Sequence, residues 1–255
     1  MIALNKDKGG LRPIAVGYIW RRLAAKCANR YAVARLTAHF APLQLGIGVP
    51  GGCEAAVHAT RRFIGSMRPD QVLVKLDFAN AFNTLRRDVM LEAVHDSIPE
   101  LYPFVHQAYS APSVLKFGHL LLSSQMGPQQ GDPLGPLLFS LPLQPVLHSL
   151  ESDLRVGFLD DLTLGGEVGA VARDVHVMSE LGSTLGLCLN PSKCEILTRD
   201  SGIALPPELS GYPGVELTAV SLLGAPLFRG SALDINLTYI CGPLGECRVY
   251  HLRMP

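Results

Sequence analysis

VLVKLD, residues 72–77, alternates Val72, Val74 and Leu76 with Leu73, Lys75 and Asp77, the two-residue period of a β-strand, and ends on a carboxylate. GFLDDLTLGG, residues 157–166, reads as a hairpin with Asp160 and Asp161 at its turn, a position that aspartate favours. A strand and a hairpin of this kind predict a small sheet that gathers three carboxylates. Crowded carboxylates are costly unless something positive sits between them. Hard divalent cations are the usual partner, and Mg²⁺ typically takes one or two protein carboxylates plus substrate phosphates. A paired-metal site of that kind activates an attacking oxygen and stabilises a leaving one, so the trio points to nucleotidyl transfer.

Working outward, Leu23, Cys27, Tyr31, Ala34 and Ala38 give helical spacing from Arg21 to Phe40. A glycine-rich break, GIGVPGG (46–52), precedes a second helix from Glu54 to Ile64. Thr84 is expected to cap a helix carrying Leu85, Val89 and Ala93. GPQQGDPLGPLLF (127–139) reads as a loop feeding a helix that Pro142 and Pro145 should bend or end. Val168, Val171, Val175, Met178 and Leu185 form one stripe of an amphipathic helix stopped by Gly186. A short strand, a turn at Asn190-Pro191 and another strand follow. Strands alternating with crossing helices predict an α+β fold with helices on one face of the sheet. After Phe228 the periodicity dissolves.

The chain has 255 residues, 48% hydrophobic and 17% charged, enough for one large domain or two small ones with ample core. The start, MIALNKDKGGLRP, lacks the apolar stretch of a signal peptide. The greasiest stretch, LGPLLFSLPLQPVL (134–147), is too short and proline-rich to span a bilayer. The expectation is an intracellular protein, nuclear or cytoplasmic, with no membrane partner. Six cysteines form no CxxC pair and, with eight histidines, no zinc spacing, so reduced thiols are expected. Net charge is zero, which speaks against an ordinary basic nucleic-acid binder. The balance hides an asymmetry, because residues 1–35 carry +7 and the other 220 carry −7. A basic arm beside an acidic body suits polyphosphate binding at one place and metal binding at another.

Each signal by itself has a plain structural explanation: turn chemistry for the acidic pair, a helix cap for Asp77, a bend for Gln130-Gly131. Their order is more telling. KLDFANAFNTL, GPQQGDPLGPLLF, GFLDDLTLGG, LGLCLNPSKCEIL and VSLLGAPLF together resemble the polymerase motif series of reverse transcriptases, in particular those of non-LTR (LINE-type) retrotransposons. KGGLRPIAVG and LQLGIGVPGG resemble finger motifs of the same family, and the resemblance spans roughly residues 8–228. It implies a right-hand polymerase with fingers and an antiparallel palm sheet, extending a DNA primer with dNTPs on an RNA or DNA template. The implied cofactor is a pair of Mg²⁺ ions, with Mn²⁺ as substitute.

Carried over by position, Asp77 and Asp160 resemble the metal-binding carboxylates, with Asp161 as supporting acid. Phe82 matches the steric gate that excludes a ribose 2′-hydroxyl, and ordinary helix-start packing is its alternative. Gln130 and Gly131 match the pair that approaches the incoming nucleotide, where glycine permits close backbone contact. Arg12 resembles the finger arginine on the triphosphate, with Lys6 or Lys8 assisting. Lys193 matches a lysine that neutralises or protonates pyrophosphate, and a solvated turn lysine is its alternative. Leu223-Gly224 belongs to a primer-grip-like segment.

The implied division is fingers 1–70, palm 71–99, a fingers/palm connection 100–125, palm again 126–228, and an irregular tail 229–255. Phe158 stands where many relatives carry tyrosine. The chain is expected to be truncated at both ends, with no thumb, endonuclease or RNase H segment, and hence to bind primer-template weakly and salt-sensitively. The alternative function is an inactive retroelement remnant that at most binds nucleic acid or a protein. An RNA-templated RNA polymerase, disfavoured by Phe82, and a group II intron-type enzyme rank below it.

Overall fold

The computed structural model describes residues 2–5, 11–15, 17–200 and 202–228. Lys6, Lys8 and the tail 229–255, on which the thumb expectation rests, lie outside them, as does the side chain of Arg12. The chain opens with strands β1 (Ile2–Asn5) and β2 (Leu11–Ile14), then helices α1 (Ile19–Phe40) and α2 (Gly52–Ser66). Strand β3 (Gln71–Leu76) leads into α3 (Ala81–Thr84), α4 (Arg87–Ser97) and α5 (Tyr102–Tyr109). A hairpin of β4 (Ser113–Phe117) and β5 (Leu120–Ser124) precedes α6 (Gly135–Ser149). Then come β6 (Leu154–Phe158), β7 (Asp161–Glu167), α7 (Val168–Thr184), β8 (Glu195–Thr198), α8 (Pro207–Ser210), β9 (Ser221–Leu222) and β10 (Ala225–Pro226).

The central sheet runs β6-β7-β3-β8, antiparallel throughout. Strand β3, one of its two inner strands, is buried on both faces, which is why Val72, Leu73, Val74 and Leu76 are apolar on either side of the sheet. Val72, Val74 and Leu76 enter the main core with residues of α1, α4, α5, α6 and α7. Leu73 points the other way, into a second cluster with Val57 and Ile64 of α2, Val156, Leu197 and Leu222. The principal helical layer therefore covers one face, while α2 and the terminal hairpin cover part of the other. Each such side chain contributes about 1.5–3 kcal/mol by burial.

Two local expectations are corrected. Helix α6 does not end at Pro142 or Pro145 but continues to Ser149. An interior proline costs roughly 3 kcal/mol, but α6 is enclosed nearly all round, with Leu137, Leu138, Phe139, Leu141, Leu143 and Leu147 at most 1% exposed. Burial of that stretch offsets the lost hydrogen bonds. Thr84 does not cap α4. It ends the short α3, its hydroxyl donating back to the Ala81 carbonyl at 3.3 Å. Leu85 is fully buried in extended backbone, and its carbonyl accepts from Gly127 N at 2.7 Å, so the chain turns before α4 can start.

Candidate active site

Strand β3 delivers Asp77 at its end. The Asp77 carbonyl accepts from Asn190 N at 2.8 Å, and its own N–H donates to Cys194 Sγ at 3.4 Å. Both contacts tie the strand end to the segment before β8. Across the sheet, Leu76 pairs with Leu162 and Phe158 pairs with Asp161, so the register brings Asp77 alongside Asp161. Leu159 and Asp160 form the two-residue turn, with Leu159 in the left-handed region at φ 58°.

Two adjoining cavities meet at this strand end. The first, about 500 Å³, is lined by Asp77, Asp160, Phe82, Gln130, Gly131 and Lys193, among others. The second, about 340 Å³, is lined by Asp77, Asp161, Lys75, Lys193, Glu195 and Leu222, among others. Asp77 and Lys193 border both. Asp160 and Asp161, adjacent in sequence, border one each. Burial pushes the Asp161 carboxyl up to about 6, reinforced by the charges of Asp160 and Asp77 and only partly offset by Lys75.

Asp77 Oδ1 is buried and has no hydrogen-bond partner. An unsatisfied buried acceptor costs roughly 1–3 kcal/mol, more when charged. Among the described residues no three His, Cys, Asp or Glu side chains form a closed metal-binding group. An open arrangement of one or two carboxylates, completed by water and phosphate oxygens, is what Mg²⁺ ordinarily uses, and the cleft fits that pattern.

The opposite wall is the loop before α6. Gly131 takes φ 107°, where a Cβ would come within 2.9 Å of the Ala15 carbonyl oxygen. Ala15 N in turn donates to the Gln130 carbonyl at 2.7 Å, so the chain leaving β2 lies against this loop. Gln130 Nε2 donates to Asn83 Oδ1 at 3.2 Å. The Phe82 ring stacks on Phe139, centroids 4.5 Å apart and planes 17° apart, which anchors a half-buried ring at the cleft.

Several supporting residues escaped the sequence reading. Asp132 accepts from Leu134 N at 3.0 Å, from the Tyr109 hydroxyl at 2.6 Å and from Arg21 at 3.0 Å. Arg87 holds Gly127 O at 3.0 Å and Ser124 O at 2.8 Å and lies over the Tyr109 ring. Burial, with Asp132 beside it, drives the Tyr109 hydroxyl pKa far up, so it remains a donor. The acid directly after Gln130-Gly131 was the available signal; nothing local pointed to Tyr109.

Lys193 is exposed on the turn after Asn190, at the rim of both cavities. Leu223 (φ 50°) and Gly224 (φ 78°) make the tight turn between β9 and β10. Neither borders the two cavities; Leu222 does. Arg12 lies on β2 opposite Leu4.

The sequence matches the family described as reverse transcriptase (RNA-dependent DNA polymerase) over residues 4–227. A curated relative, the retrotransposable element SLACS 132 kDa protein of Trypanosoma brucei gambiense, is 29% identical over 215 residues. That match covers 79% of this chain but 18% of the relative, so the chain spans less than a fifth of that protein's length. Among solved structures, telomerase from Candida tropicalis in complex with a TWJ fragment of telomeric RNA superposes with a TM-score of 0.54 at 13% identity, covering 77% of this chain and 40% of that one. The apo form truncated from its C-terminal domain gives 0.52 at 13% identity, covering 71% and 41%. At such identity the likeness concerns the fold.

Proposed function

The chain belongs to the reverse transcriptase family, and on that premise we propose that its cleft carries out RNA-directed nucleotidyl transfer from a dNTP to a primer 3′-hydroxyl. The observation that carries this reading is the buried, unpartnered Asp77 Oδ1 on a cleft shared with Asp160, Phe82, Gln130 and Gly131. Asp77 and Asp160 would hold the divalent metal that the family generally uses, with Asp161 supporting from the adjoining cavity. The metal, when bound, supplies charge compensation for the attacking and leaving oxygens.

The protein's part in such a transfer is mainly positioning. Gly131 lets the backbone approach a nucleotide, and Gln130, held by Asn83, lines its path. Phe82, braced on Phe139, excludes a 2′-hydroxyl by bulk. Lys193 meets the departing pyrophosphate from the rim, and Arg12 on β2 contributes to triphosphate binding. Leu223-Gly224 steers the primer through the neighbouring Leu222. Residues 1–70 act as fingers and 71–99 with 126–228 as palm, joined by 100–125.

Primer extension on an RNA template with Mg²⁺ and dNTPs at low salt tests the reading, with wild type, Asp77→Asn and Asp160→Asn side by side. We expect extension by wild type and a loss of about 10²- to 10³-fold in either variant, on the scale of removing one transition-state electrostatic group. In the same assay Phe82→Val should raise ribonucleotide use relative to deoxynucleotide by about 10-fold or more. No extension by a cooperatively folded wild type would favour the inactive remnant. An unchanged sugar preference would return Phe82 to simple packing.

A further inference from the structure

Gln44 is fully buried, 0% exposed, in the segment that joins α1 to α2. Its side-chain amide is committed to the turn that carries Asp160. Oε1 accepts from Leu159 N at 2.7 Å and from Gly46 N at 3.1 Å, while Nε2 donates to the Leu159 carbonyl at 3.1 Å. Both backbone polar groups of Leu159 are thus held by one side chain located 115 residues earlier in the chain.

Leu159 needs such a hold. At φ 58° it occupies the left-handed region, which a branched L side chain avoids because Cβ crowds the carbonyl. The segment itself is docked on the edge of β6: Leu45 N donates to the Gly157 carbonyl and Gly157 N to the Leu43 carbonyl, both at 2.7 Å. Gly46 completes the contact, since a Cβ there would sit 3.0 Å from Leu159 N. The site requires one donor and one acceptor together. An ionised glutamate would turn an acceptor on the Leu159 carbonyl, and an aliphatic side chain would leave both groups unpaired.

We propose that Gln44 is a positioning residue for the catalytic hairpin: its amide locks Leu159 in the left-handed conformation and so sets the direction in which Asp160 enters the cleft. The role rests on reading the cleft as the polymerase site. It differs from ordinary core packing because it acts on one strained turn rather than on the sheet.

The test compares wild type, Gln44→Met, Leu159→Gly and the double variant by three readouts: backbone amide exchange, Mn²⁺ affinity by electron paramagnetic resonance, and primer extension. In wild type the Leu159 amide should be protected. In Gln44→Met protection should vanish at Leu159 and Gly46 but persist at Leu162 and Leu164. Mn²⁺ affinity and kcat should each fall about 10- to 100-fold, the usual cost of losing a residue that orients a metal ligand, with the dNTP KM within about 3-fold. Adding Leu159→Gly, which is at ease in this conformation, should restore part of the loss.

A freely exchanging Leu159 amide in wild type overturns the proposal, as does unchanged Mn²⁺ affinity and kcat in Gln44→Met. If Gln44→Met does not fold, Gln44→Asn takes its place with the same expectations. Failure of both to fold, even with Leu159→Gly, would make Gln44 a core residue and overturn the role. If wild type extends no primer, the polymerase reading fails by itself, while exchange and Mn²⁺ binding still decide the clamp.

Discussion

Asp161 is an exposed residue at the start of β7, yet its carboxyl is pushed up to about 6 by partial desolvation and by the negative charges of Asp160 and Asp77. Its folded-state pKa lies above the unfolded value, so the folded protein binds the extra proton. The crowding therefore penalises folding as pH rises from about 3, where the group is largely protonated in both states, to above about 6, where the penalty is complete. Solvent screening holds the effect to a fraction of a kcal/mol. Without divalent metal, Asp161→Asn should raise Tm by about 1–2 °C at pH 7.5 and leave it unchanged near pH 3, read by calorimetry. Equal shifts at both pH values would sink the charge explanation. At this scale the carboxylates, Phe82, Gln130, Gly131 and Lys193 were legible as candidates, because each sits in a short local pattern, and the tertiary structure gathers them around two adjoining cavities. Gln44, Tyr109 and Arg21 were not legible, because their partners lie 23 to 115 residues away.

Elements meet at glycines where backbones approach closely. Gly127, at φ 59°, packs against the Phe82 carbonyl so tightly that a Cβ would overlap it. Gly65 lies near the end of α2, where a Cβ would meet nothing within 4 Å. Gly127→Ala should cost at least ~2 kcal/mol, from the backbone clash and the strained φ together. Gly65→Ala should be neutral or stabilise by up to about 1 kcal/mol, through helix propensity. Urea midpoints at constant m separate the two, and similar values for both would refute the close-approach argument. The same logic separates legible elements from misread ones. Helix α7 follows from its amphipathic stripe, with Val171, Val175 and Met178 buried, and the β6–β7 hairpin from its acidic turn, whereas α1 was found by a helical spacing whose Leu23, Cys27 and Ala34 face solvent while Ala25, Ala32, Leu36 and Phe40 are buried. That α6 continues past Pro142 and Pro145 was not legible, because proline statistics describe ordinary helices, while this one is enclosed by α1, α4 and α7.

Over the whole molecule, the +7 of residues 1–35 balances −7 elsewhere, and α1 carries much of the positive charge, with Lys26 and Arg30 exposed. Arg21, at the start of the same helix, is tied to Asp132, which sets that end of α1 next to the loop carrying Gln130 and Gly131. Primer-template affinity should fall steeply with salt, and replacing both Lys26 and Arg30 by Gln should lessen the log–log slope by about 2. A slope unaffected by the pair would place the nucleic acid elsewhere. The sequence by itself determined the strand ending at Asp77, the acidic hairpin and the helices named around them, because periodicity and turn chemistry act over a few residues, and it determined the family through the order of its motifs. The tertiary structure decided that Asp77 is left with an unpartnered oxygen, that Asp160 and Asp161 part into neighbouring cavities, and that Gln44 reaches the hairpin turn. Those outcomes depend on register and on contacts closed over long stretches of chain, and local spacing carries no information about which distant backbone will arrive there.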